Sequence, residues 1–231
     1  MFKPLIPILA VATLMTACAP SQKAEAQNSA SAAASDQASA AIAPLAQAAA
    51  ATPSFDCAKA TLKAETAVCA DPRLAQLDVE VTRLYDLIGK APGVDRAALQ
   101  RQKGIWLNKR NTCATTDNIE TCLLNVYAGR ISDLRAGYPV ARSDTAVSIG
   151  PIAWRCPGAS DLSTTFINGE TSMAYVKWAD KSAVVTQSLS ASGARYAITL
   201  PEGDYEFWTK GDETMWTAPG SVMMTCTEQK Q

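Results

Sequence analysis

Arg195-Tyr196-Ala197-Ile198-Thr199-Leu200, then Glu202-Gly203-Asp204, then Tyr205-Glu206-Phe207-Trp208-Thr209-Lys210 read in succession as strand, hairpin turn and strand. Aromatic and β-branched residues fill both runs, Tyr196 and Ile198 lie two apart, and glycine beside acidic residues marks the reversal. The same texture spreads outward in both directions. Short apolar runs at 152–156, 162–167, 173–178, 183–189, 195–200, 205–210, 214–217 and 222–226 are split by turn signals such as Asn168-Gly169 and Ala179-Asp180. Eight short antiparallel strands at near-regular spacing imply a small all-β barrel or sandwich, and an eight-stranded barrel is the expectation for residues 150–231. Cys156 on the first strand and Cys226 on the last would staple the ends of this domain.

Before Tyr138-Pro139 the period changes. Leu74, Leu77, Val81, Leu84, Tyr85 and Ile88, and later Ile119, Leu123, Val126, Tyr127, Ile131 and Leu134, recur at helical spacing. Asp71-Pro72 gives one helix a cap and a first-turn proline, and Asp117 with Glu120 resembles a capping box for another. Between them 95–110 carries Leu99, Gln102, Ile105, Trp106 and Lys109, with Ala91-Pro92-Gly93 as the preceding turn. Residues 54–138 are therefore expected to form an all-α, disulfide-linked helical hairpin bundle, with 139–149 as linker to the barrel.

Seven cysteines divide into Cys18 and an even set of six. In an exported chain such a set reads as disulfides. On one continuous helix Cys57 and Cys69 would lie about 18 Å apart, beyond the roughly 7 Å a bridge tolerates. Each would then pair with the later helices, as Cys57 with Cys122 and Cys69 with Cys113, or crossed. A kink between Cys57 and Cys69 would reopen the choice.

The N-terminus sets the compartment. Lys3, a short apolar run from Leu5 to Met15 and small Thr16 and Ala17 precede Cys18. This resembles the signal peptide of a bacterial lipoprotein, residues 1–17, cut before a lipid-bearing Cys18. The apolar run is too short to span a bilayer as a helix. Ala19 is not the aspartate associated with inner-membrane retention, which by resemblance to lipoprotein sorting implies a lipid anchor in the outer membrane of a Gram-negative cell, facing the periplasm. Residues 18–53, mostly Ala, Ser and Gln, cannot bury enough surface to order themselves and are read as a disordered tether.

Composition excludes much chemistry. The 231 residues carry a net charge of −1 and no histidine, so no Ser-His-Asp or Cys-His arrangement can be built and the commonest zinc ligand is missing. No metal site or cofactor is expected. There is no basic stripe, Walker loop or Rossmann glycine pattern, which argues against nucleic acid and nucleotides as partners.

Ser192-Gly193-Ala194-Arg195-Tyr196 and Phe207-Trp208-Thr209-Lys210-Gly211, with Trp154-Arg155-Cys156 and Cys226, carry a specific resemblance. They are similar to the membrane-bound inhibitors of c-type lysozyme, which have a Ser-Gly-x-x-Tyr loop and a Trp-x-Lys-Gly turn. Thr214 and Trp216 depart from the small and leucine-like positions usual after that turn. The helical half resembles the LprI-like lysozyme-inhibitor domain through Cys57-Ala58-Lys59-Ala60, Glu65, Cys69, Leu77-Asp78, Tyr85, Gln102, Trp106-Leu107, Arg110, Cys113, Cys122, Tyr127 and Arg130-Ile131.

The resemblance implies a non-enzymatic protein whose partner is a c-type lysozyme, with Ser192, Gly193, Tyr196 and Lys210 as its binding residues. Ser192 would offer a small donor and acceptor, Lys210 a flexible cation for an ionised carboxylate, Gly193 the loop conformation and Tyr196 a brace. On the residues alone, Ser-Gly is an ordinary hairpin dipeptide, Lys-Gly an ordinary turn, and Tyr196, Phe207 and Trp208 are packing. The β half carries more acidic than basic residues, which suits a basic lysozyme. Two rivals remain: a carboxylate-based glycan hydrolase using Glu202, Asp204 or Glu206, and a non-inhibitory envelope scaffold.

Overall fold

Asp71 opens the helix Pro72–Lys90 by accepting from Arg73 N at 2.8 Å, with Pro72 at the first helical position. The computed structural model describes residues 51–230. The leader, Cys18 and all but the end of the expected tether lie outside the described residues. The helices are α1 (Lys63–Ala70), α2 (Pro72–Lys90), α3 (Arg96–Thr112), α4 (Ile119–Gly137) and the short α5 (Pro139–Ser143). Asp95 caps α3 by accepting from Ala98 N. The cap of α4 is Asn118 rather than Asp117: its side chain accepts from Thr121 N at 2.9 Å, so the helix starts one residue later. Glu120, released from any box, pairs instead with Arg73.

The disulfides correct the expected pairing among the helices. Cys57 joins Cys69 and Cys113 joins Cys122, with Cα separations of 5.9 and 5.6 Å. The premise of one continuous helix fails because Cys57–Lys59 is a lone 3-10 turn, and the chain is extended at Ala60 and Leu62 before α1 begins. That break folds Cys57 back onto Cys69. A second 3-10 turn, Cys113–Thr115, does the same between α3 and α4. Cys156 and Cys226 are joined as expected.

The β half is a closed barrel, β1 (Ser148–Arg155), β2 (Leu162–Ile167), β3 (Met173–Trp178), β4 (Lys181–Ser188), β5 (Ala194–Leu200), β6 (Gly203–Lys210), β7 (Glu213–Thr217) and β8 (Met224–Glu228), in sequence order. Neighbours are antiparallel, and β1 closes on β8 through Trp154 opposite Glu228. Inward side chains, among them Trp154, Leu162, Val176, Val185, Tyr196, Phe207 and Trp216, fill the interior. Closure removes the free edges that an open sheet would expose.

Strands β2 and β3 are buried on both faces, and the reason is the helical half. Alternate residues Ile167, Met173, Tyr175 and Val184 turn outward and join the helical core with Leu124, Ala128 and Ile131. Helices and barrel thus share one apolar layer along α4. The junction also holds a polar network. Arg135, only 1% exposed, donates to Gly150 O at 2.7 Å, Asp144 O at 2.8 Å and Ser148 Oγ at 3.2 Å. Ser148 donates to buried Glu80, which pairs with Arg83, and Arg83 reaches Asp144 at 2.8 Å. Residues 139–149, expected as linker, are occupied by α5 and the start of β1.

Candidate functional site

The pairing of β5 with β6 sets the site. Ala194 lies opposite Thr209, so the 189–193 loop arrives beside Lys210, the last residue of β6. Gly193 has φ +68°, a conformation glycine adopts at no steric cost. It also lies against the neighbouring strand: a Cβ there would stand 2.3 Å from Thr209 O and 3.2 Å from Lys210 Cβ. The close approach of loop and lysine therefore depends on the missing side chain.

Ser190 and Trp208 hold the loop from its two sides. Ser190 Oγ donates to Ser192 O at 2.6 Å and accepts from Ser192 N at 3.3 Å, which folds the tip back on itself. Trp208 Nε1 donates to the same Ser192 O at 2.9 Å. Phe207 is buried in the barrel, so Trp208 one residue on faces outward and its indole is free to reach the loop. With the main chain so fixed, the Ser192 hydroxyl and the Lys210 ammonium are exposed and make no hydrogen bond or ion pair among the described residues. Leu189, 96% exposed, stands at the foot of the same loop.

The structure brings Ser192, Gly193 and Lys210 together at one exposed end of the barrel and does not bring Tyr196 with them. Tyr196 points into the interior, where its ring lies 5.6 Å from Phe166 and 6.4 Å from Phe207, and burial pushes its phenol pKa up. Its place is in the barrel core. Trp208 is the residue that sequence reasoning assigned to packing. Its signal was present, since a strand alternates faces and the buried Phe207 forces Trp208 outward. Thr214 and Trp216, where the sequence departs from the resembled pattern, are both buried. The Trp216 ring lies tilted against Trp178 with centroids 4.8 Å apart, and Thr214 Oγ1 donates to Trp208 O at 3.1 Å.

The remaining carboxylates have other occupations. Glu206 pairs with Arg195 at 2.5 Å, whose own pKa rises through that hydrogen bond. Asp204 accepts from Thr199 Oγ1 at 2.6 Å and Glu202 from Tyr205 at 3.0 Å, all at the surface. Asp212 in the turn after Lys210 pairs with Lys230 at 2.6 Å. Among the described residues no group of three or more His, Cys, Asp or Glu stands ready for a metal ion.

In the helical half, several residues of the quoted pattern meet at one cluster. Asp78 accepts from Ser54 N at 2.7 Å and from Tyr127 at 2.9 Å, Arg110 donates to Tyr127 at 3.3 Å, and Arg110 lies 3.5 Å from Glu65. Burial, with Asp78 beside it, raises the Tyr127 pKa. Trp106 lies edge-on to Tyr127 at 5.2 Å. Asp78, Tyr127, Arg110 and Trp106 thus belong to the interior of this bundle, where the polar groups of the first three are bonded to one another or to Ser54 and Glu65.

The family model described as membrane-bound lysozyme-inhibitor of c-type lysozyme matches residues 154–225. Lipoprotein LprI of Mycobacterium tuberculosis is 28% identical over 175 residues, covering 74% of this chain and 82% of its own length. LprI of Mycobacterium bovis matches to the same extent. On a 231-residue chain a span of that size necessarily takes in α2 to α5. A protein of Cupriavidus necator named membrane-bound lysozyme inhibitor of C-type lysozyme is 40% identical over 63 residues, 27% of this chain and 47% of its own length. The barrel segment is therefore matched by the c-type lysozyme inhibitor family, and the helices that precede it fall within a stretch similar to lipoprotein LprI.

Proposed function

We propose that this protein inhibits a c-type lysozyme by placing the Ser192 loop and Lys210 in the enzyme's cleft. The observation that carries this reading is the pairing of an unpartnered hydroxyl and an unpartnered ammonium on one braced, protruding end of the barrel, within the segment matched by the inhibitor family. Retaining glycosidases work with two carboxyl groups flanking the scissile bond, one protonated and one ionised. The Ser192 hydroxyl can donate to or accept from either form, and Lys210 supplies a cation to the ionised one. The cost of ordering the loop is largely met before binding, because Ser190, Trp208 and Gly193 already fix it. Glycan is then excluded by occupancy, and no covalent step is involved.

In this reading Cys18 carries a lipid that anchors the chain to the outer membrane on its periplasmic side, and inhibition protects peptidoglycan. The names of the relatives, lipoprotein and membrane-bound inhibitor, support an anchored protein. The test is lysis of cell walls by a c-type lysozyme in the presence of the full chain and of Ser192→Ala, Lys210→Ala and the double variant. Each single change is expected to weaken inhibition about tenfold or more, the scale of a lost charge-assisted contact. Inhibition that is unchanged in the double variant would refute the placement.

A further inference from the structure

The loops at the site end of the barrel are not held alike. The β2–β3 loop is tied at one root to the segment that leads into β1 and at the other to helix α2. Asn168 N donates to Val147 O at 2.8 Å on one side. On the other, Thr171 N donates to Gln76 Oε1 at 3.2 Å and Gln76 Nε2 donates to Thr171 O at 3.0 Å. Gln76 lies on α2 and is 8% exposed. Gly169 rests directly on its amide: a Cβ there would stand 2.5 Å from Gln76 Cδ. A side-chain amide that gives both donor and acceptor to the main chain of one residue acts as a clamp, since a buried amide left unpaired is costly.

The clamped loop is one wall of an open groove of about 660 Å³, whose other wall is Ser188, Leu189, Ser190 and Gly193. The groove is thus continuous with the Ser192 tip. Ser172 O accepts from Gln187 N at 2.8 Å and ties the loop across the groove floor. Two charged residues line it, Glu170 and Arg195. Arg195 is matched by Glu206, so Glu170 is the charge in the groove with no ion pair among the described residues. The groove therefore offers a carboxylate to whatever Ser192 touches.

Resting on the inhibitory reading above, we propose that the helical half takes part in binding. Gln76 fixes the 168–172 loop as a second wall of the docking surface, and Glu170 on that wall receives a basic side chain beside the cleft of the same lysozyme. Gln76 is a positioning residue, acting through the loop, and Glu170 is the contact. This gives α2 a function distinct from packing.

The experiment uses the full chain and the variants Gln76→Ala, Glu170→Lys and Ser192→Ala/Lys210→Ala. It reads Ki against a c-type lysozyme at low and high salt, amide exchange at Thr171, and thermal stability. Glu170→Lys should raise Ki about tenfold at low salt and less at high salt, as a rim charge does through encounter rate. Gln76→Ala should speed exchange at Thr171 and raise Ki about fivefold, the scale of one lost hydrogen-bonded constraint. Glu170→Lys changes only the surface and stays informative if Gln76→Ala folds poorly. Wild-type Ki in both variants, with Ser192→Ala/Lys210→Ala still impaired, would overturn the second wall and leave the inhibitory reading standing. Wild-type Ki in all three would overturn both.

Discussion

Replacing Gly193 by alanine tests the geometry of the loop more severely than removing any side chain. The added Cβ would meet Thr209 O at 2.3 Å, so the loop must move by about 1 Å to regain ordinary contact. It must also hold φ +68° with a side chain, which costs about 1 kcal/mol. Movement on that scale breaks the 2.9 Å bond from Trp208 Nε1 to Ser192 O, worth about 1 kcal/mol net. The sum, about 2 kcal/mol, should lower the melting temperature by about 4–8 °C. If the displaced loop must be restored on binding, the same energy weakens inhibition by about 30-fold. Calorimetry and a lysis assay on Gly193→Ala measure both. A variant with wild-type melting and wild-type Ki would show that the close approach of loop and β6 does not control the site.

Other perturbations report on the scaffold. The Cys156–Cys226 bridge closes 70 residues and Cys57–Cys69 closes 12, so loop entropy gives about 4 and about 3 kcal/mol respectively. Serine replacement of the first pair should lower the melting temperature further than that of the second, and the reverse order would contradict the chain-entropy account. Residues 150–231 expressed alone would expose Ile167, Met173, Tyr175 and Val184, so the isolated barrel should bind a hydrophobic dye that the whole chain ignores. A dye-silent, monomeric barrel would show that the helical half does not cover that face. The hydrogen bond from Arg83 holds the Asp144 carboxyl below the usual range. Its stabilisation is present above about pH 3.9, the unfolded value, and is lost as pH falls through the lower folded value. Asp144→Asn should flatten urea-measured stability against pH in that acid window alone, and an unaltered pH profile would refute the assignment.

The barrel was legible because its strands obey local rules: β2 and β3 run as their apolar alternation and flanking turns require, residue for residue. Ile167, Met173 and Tyr175 are apolar where a barrel facing water would carry polar side chains, and that excess marks the helical contact. The cysteine pairing failed for a different reason. Nothing in Ala60-Thr61-Leu62 resembles a breaker, yet the chain is extended there, because the capping contacts of Glu65 and closure of the bridge favour it. At the site, the two motifs place Ser192 and Lys210 near one another by register. The inward turn of Tyr196 and the outward turn of Trp208 follow from the same alternation once Phe207 is known to be buried. The clamp from Gln76 to Thr171 links residues 95 apart in the chain and has no local signal.

Competition for the cleft is the most direct measurement. The full chain is titrated with a c-type lysozyme at increasing concentrations of an oligosaccharide that fills the enzyme's sugar subsites, and the apparent Kd is followed. Occupancy of the cleft by Ser192 and Lys210 predicts that the apparent Kd climbs in proportion to oligosaccharide. A Kd indifferent to the sugar, with lysis still inhibited, would place the protein elsewhere on the enzyme and contradict the account.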